Sequence, residues 1–142
     1  MSKFSKFMKA NKVVRANTFY PATASLTDEK GNPLEWEIRP LTTKEVDHIQ
    51  DECTMEIPTG KPNVFRTKIN ASKYMKGLIC ASVVSPDLYD VELQDSYGVK
   101  TPEDLLQQMI DDPGEYNAFA SFIQKFNNLD KTLQDKVDTA KN

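Results

Sequence analysis

The sequence predicts an α+β domain that is mainly α-helical. It starts with an N-terminal helix and one β-hairpin over about 18–40; four or five helices then pack around a core helix at 71–84. Three observations predict this arrangement. Leu34, Trp36 and Ile38 alternate with Glu35, Glu37 and Arg39, the period-two pattern of a half-buried strand. Residues 71–84 are apolar on most sides, through Tyr74, Met75, Leu78, Ile79, Cys80, Val83 and Val84, as in a helix enclosed by others. Helix-start signals recur at Thr42, Asn70, Thr101 and Asp112.

Residues 2–12 predict a short helix with Phe4, Phe7 and Met8 on one side. A helix of that length is marginal alone, so its apolar side must dock on its own core or on another molecule. In the hairpin, Ala22, Ala24 and Leu26 alternate with Thr23 and Ser25, and Asp28 to Pro33 supply turn residues. A lone hairpin is unstable in water, so the Trp36 face needs helices over it. Thr42 followed by Glu45 reads as a capping box, with a helix running to about residue 55 and Val46, Ile49 and Cys53 facing inward.

Residues 57–69 carry Pro58, Gly60 and Pro62 without periodicity and predict a loop. Asn70 caps the core helix and Pro86 ends it. A short helix follows over 87–95, with Leu88, Val91 and Tyr89 pointing in, and Gly98 breaks it. Thr101-Pro102-Glu103-Asp104 and Asp112-Pro113 each combine an N-cap with proline at the first helical position. The first of these helices buries Leu105, Leu106, Met109 and Ile110; the second carries Tyr116, Phe119, Ala120, Ile123 and Phe126. Beyond them the chain is polar apart from Leu129, Leu133, Val137 and Ala140, the first three spaced four apart. The division is therefore one domain over 1–127 and a polar tail over 128–142.

The composition bounds the function. At 142 residues the chain is long enough for one real core, and thirteen aromatic residues exceed what a disordered chain carries. No apolar run approaches a bilayer span, and the lysine-bearing N-terminus lacks the apolar region of a secretory signal. Cys53 and Cys80 cannot build a disulfide framework and read as buried thiols of a reducing cytosol. The net charge of −3 hides a block pattern: +5 over 1–27, −6 over 28–56, +5 over 57–86, −8 over 87–115 and +1 over 116–142. Such blocks are solvated faces, neighbours inside the fold, or complementary patches that allow a homo-oligomer. The acidic blocks repel phosphate, and no nucleic-acid-binding motif accompanies the basic N-terminus, which argues against a nucleic-acid regulator.

The ingredients of a catalytic or metal site are missing. His48 stands alone, and Cys53 and Cys80 lack metal-ligand spacing. Gly60-Lys61-Pro62 is not a phosphate loop. Glu35 and Glu37 share a strand face that reads as solvent-facing, and Asp87, Asp90, Glu92 and Asp95 lack the order of a calcium loop. Asn70-Ala71-Ser72 matches a glycosylation acceptor without a secretory context. Residues alone point to a binding or assembly protein with no cofactor.

Several stretches carry a resemblance. They are Val83-Val84-Ser85-Pro86-Asp87-Leu88, Glu92-Leu93-Gln94-Asp95-Ser96-Tyr97-Gly98-Val99, Leu105-Leu106 with Met109, and Pro113-Gly114-Glu115-Tyr116. Together with Asp28-Glu29-Lys30-Gly31-Asn32-Pro33-Leu34-Glu35-Trp36-Glu37-Ile38-Arg39, and with Thr42, Glu45, Lys73-Tyr74 and Leu78, they resemble the XkdN-like tail assembly chaperones of phages, prophages and tailocins. The resemblance spans about 1–127. It implies a non-enzymatic protein of the bacterial cytoplasm that binds the tape measure protein, keeps it soluble before the tail tube forms, and is absent from the mature particle. Tail tube protein is a further implied partner, through a longer frameshifted form of such chaperones. The apolar stripes that such a role could use are Phe4, Phe7 and Met8 at one end and Leu129, Leu133 and Val137 at the other. A minor structural component of the tail or baseplate is the competing reading.

Overall fold

The computed structural model describes residues 2–129. Its centre is a three-stranded antiparallel sheet in the order β1 (Thr18–Tyr20), β2 (Trp36–Ile38), β5 (Val83–Ser85). Four of the five helices follow the expected starts, α1 (Thr43–Glu52), α2 (Ala71–Ser82), α4 (Pro102–Met109) and α5 (Pro113–Phe126); the fifth is α3 (Val91–Ser96). The architecture is α+β and mainly helical, as the periodicities predict.

The helix starts form for the reasons legible in the sequence. The Thr42 hydroxyl accepts from the Glu45 amide and the Glu45 carboxylate accepts from the Thr42 amide, a complete capping box. Asn70, Thr101 and Asp112 each accept the amide three residues on, and prolines occupy the first position of α4 and α5. Asp90 caps α3 in the same way.

The core lies between the sheet and the helices α2, α4 and α5. Trp36 and Ile38 enter it from β2, Leu78 and Ile79 from α2, Leu105 and Leu106 from α4, and Phe119 and Ile123 from α5. Phe119 is fully buried, edge-on to Trp36 at 5.6 Å and stacked on Tyr20 at 5.5 Å. Gly77 lets α1 approach α2: a Cβ there would come within 2.8 Å of Ile49 Cγ2.

Beyond the N-terminal segment, four expectations need correction. The first hairpin strand is Thr18–Tyr20, not the Ala22–Leu26 stretch. Ala22 and Thr23 are both buried, which breaks the alternation. Glu115 at the start of α5 accepts from the Thr23 hydroxyl and the Ala24 amide, both at 2.7 Å, so this backbone is committed to α5 and not to a ladder. The expected turn does form, with Asp28 Oδ1 accepting from the amides of Lys30 and Asn32 and Gly31 at φ 86°.

The core helix stops at Ser82 rather than 84, and Val83–Ser85 becomes the edge strand β5, leaving Val84 exposed. β-branched residues ahead of Pro86 favour an extended backbone.

Residues 57–69 are not a loop. Thr54–Pro58 (β3) and Phe65–Ile69 (β4) pair antiparallel around a turn with Gly60 at φ 90° and Asn63 at φ 60°. The proline and glycine signals mark only the turn, while the flanking residues are strand formers. This ribbon is almost wholly exposed, Met55, Val64, Phe65 and Ile69 included.

The short helix begins at Val91, so only Leu88 of the three expected inward residues is buried; Tyr89 and Val91 are exposed.

Ser82 is fully buried and its hydroxyl has no hydrogen-bond partner among the described residues. Ser82→Ala is therefore expected to raise the unfolding free energy by about 1 kcal/mol in urea denaturation, since it removes an uncompensated polar group at little cost in volume.

Candidate functional site

The expected N-terminal helix is replaced by two 3-10 turns, Ser5–Phe7 and Lys9–Asn11. Neither buries a residue, because no core element reaches them and eleven residues cannot sustain a helix unaided. Phe4, Phe7 and Met8 therefore stand in solvent, 57%, 83% and 52% exposed, with the two phenyl rings edge-to-face at 6.2 Å. The segment that follows is tied to the body by Arg15, whose Nη2 donates to the Leu41 carbonyl at 2.6 Å.

That tether forms one wall of a groove of about 960 Å³. Lys9, Lys12, Val13, Val14 and Arg15 line this wall. The floor comes from Pro40 and Leu41 after β2, Val46 on α1 and Tyr74 on α2. Asn127 and Leu129, at the end of α5, close the far side. Thr42, Thr43, Asp47 and Gln50 complete the lining, so the groove mixes apolar and polar side chains, with three cations, Lys9, Lys12 and Arg15, on its N-terminal wall.

Two polar anchors hold its frame. The Asn127 side chain is buried, accepts from the Leu41 amide at 2.7 Å and donates to the Ile123 carbonyl at 2.9 Å. Arg39 makes a two-pronged ion pair with Glu45 at the start of α1. The arginine hydrogen bond, helped by the Thr42 backbone, pulls the Glu45 carboxyl down to about 2. A lowered carboxyl contributes stability that is complete above its ordinary value and is lost as pH falls toward the folded one. Glu45→Gln is expected to cost about 1 kcal/mol or less at neutral pH, because both groups are about a third exposed and screened. The difference from the parent should shrink as the pH drops to about 2, as followed by thermal unfolding across the acid range.

The residues weighed for catalysis do not converge. Cys53 and Cys80 are free and buried, and burial pushes the Cys80 thiol up to about 12, far from a nucleophile's range. His48 pairs with Glu52 at 2.9 Å on the exposed face of α1. Glu37 Oε2 accepts from Asn17 Nδ2 at 2.9 Å, while Glu35 is exposed. Among the described residues no group of three or more His, Cys, Asp or Glu could hold a metal ion, and no helix is long and apolar enough to cross a membrane.

Of the six residues singled out in the sequence, Phe4, Phe7 and Met8 are exposed and Leu129 lines the groove; Leu133 and Val137 lie outside the described residues. The groove floor was partly missed. Val46 was legible as an inward residue of α1, but nothing in the sequence sets Leu41 and Tyr74 beside Val13 and Val14.

The model of the phage XkdN-like tail assembly chaperone family matches residues 4–141. The chain belongs to this family. Two proteins of Bacillus subtilis (strain 168) are similar along nearly their whole length. The phage-like element PBSX protein XkdN is 22% identical over 139 residues, covering 97% of this chain and 93% of that protein. The protein YqbN is also 22% identical over 139 residues, covering 97% and 92%. The crystal structure of YqbN matches the fold of this tail assembly chaperone with a TM-score of 0.73 at 17% identity, over 90% of this chain and 98% of that one.

Proposed function

We propose that this chaperone binds the tape measure protein of its phage tail, keeps it soluble in the host cytoplasm until the tube polymerises, and then leaves, so that finished particles lack it. It acts by binding and carries no catalytic step. The observation that supports this reading most is the apolar surface left open: Val13 and Val14 with the half-buried Val46 and Tyr74 in the groove, and the exposed Phe4, Phe7 and Met8 of the N-terminal segment. An elongated helical partner exposes apolar stripes of the kind such a groove accepts. The surrounding lysines and the acidic surface over 87–115 keep a complex hydrated. Tail tube protein is a further partner in this reading. Self-association belongs to it as well, through the basic β3–β4 ribbon and that acidic surface.

Mass spectrometry of infected-cell extracts and of purified tails tests the reading. The chaperone should co-purify with tape measure protein in extracts and be absent from finished tails. Its presence in tails at a fixed copy number would make it a minor structural component instead.

A further inference from the structure

The end of α5 belongs to the groove lining. Asn127 staples that end to the groove floor through the Leu41 amide. Asn128 takes a left-handed backbone, φ 58°, which turns the chain out of the helix direction. The Leu129 amide then donates to the Gln124 carbonyl at 2.8 Å, and the half-buried Leu129 side chain lines the groove. The last described residue therefore lies in the groove lining.

Thirteen residues follow, 130–142, and their apolar members Leu133 and Val137 continue the spacing of four that begins at Leu129. Three aspartates and three lysines balance within the segment, so charge does not drive it away from the cationic wall. The segment reaches about 20 Å if helical and about 45 Å if extended, enough to run along a groove of this size in either form. A segment tethered there would meet the groove at a millimolar-scale effective concentration, at which even weak contacts suffice to fill it.

We propose that residues 130–142 are the resident occupant of this groove, with Leu133 and Val137 seated against Val14, Val46 and Tyr74, and that a partner helix must displace them. The displacement rests on the tape-measure reading; the seating does not. A free groove would bind indiscriminately, whereas an occupied one admits only a helix that outcompetes the tail. If the tail fills the groove about nine-tenths of the time, its removal tightens partner binding by about tenfold.

The full chain carrying Thr139→Cys, labelled with a nitroxide, tests the seating; the native thiols are buried. Amide signals of Val14, Leu41 and Val46 should broaden, independently of protein concentration. Adding Leu133→Asp and Val137→Asp should restore those signals while the rest of the spectrum stays in place. Sharp groove signals in the labelled parent, or broadening that survives the two aspartates, would overturn the proposal. For displacement, a chain ending at Leu129 should bind a helical tape measure fragment about tenfold more tightly than the full chain. Equal or weaker binding by the shortened chain would overturn the regulatory part. A fragment that binds neither chain would contradict the tape-measure reading and leave the seating result standing on its own.

Discussion

Phe119→Ala is expected to lower the unfolding free energy by about 3–5 kcal/mol, a large share of the total for a domain of this size. Phe119 is fully buried and is the ring on which two sequence-distant aromatics meet, Trp36 from the central strand and Tyr20 from its neighbour. Its removal leaves a cavity between sheet and helix that Leu105, Leu106 and Ile123, already fully buried, are placed to relax into only in part. Urea denaturation followed by fluorescence of Trp36, the sole tryptophan, reads the loss directly. A cost under about 1 kcal/mol would mean that the sheet and α5 are not joined through this ring.

The combined substitution Phe4→Ser, Phe7→Ser and Met8→Ser is expected to weaken tape measure binding at least tenfold while leaving the unfolding free energy within about 0.5 kcal/mol of the parent. The two halves of this expectation come from one observation. None of these side chains belongs to the buried core of the free protein, so removing them costs the fold little; covered by a partner, each would contribute up to about 1.5–3 kcal/mol. Calorimetric titration of a tape measure fragment into both proteins measures the first half, and urea denaturation the second. Unchanged affinity would remove the N-terminal stripe from the binding surface. A large loss of stability would show that the stripe packs on the protein itself.

The helix starts were the most legible part of the chain, because a cap is a local event. Thr42 with Glu45, Thr101 with Pro102 and Asp112 with Pro113 announce their helices through side chains that satisfy amides within one turn. What failed depended on distant partners. Ala22–Leu26 has the alternation of a strand, but its backbone amide is taken by Glu115, some ninety residues away. Val83–Ser85 continues an apolar helical pattern, yet pairs with β2 once the sheet exists to receive it. The ribbon over 54–69 was hidden by its own turn, since proline and glycine signal a break without naming what they separate.

The site divides the same way. Phe4, Phe7 and Met8 were visible as a stripe, and the choice between docking at home and staying exposed belonged to the fold. The groove brings together the residues after β2, α1, α2 and the end of α5, and its frame depends on one buried asparagine, Asn127, that local pattern does not mark.

The most direct test of the chaperone reading is co-expression of this chain with the tape measure protein of the same tail gene cluster, following how much tape measure stays soluble. The expected result is a soluble, co-eluting complex that falls back to aggregate when Phe4, Phe7 and Met8 are replaced by serine and Val46 by aspartate. A tape measure protein that stays insoluble beside the folded parent chain, or whose solubility is indifferent to those four positions, would contradict the binding surface described for this fold.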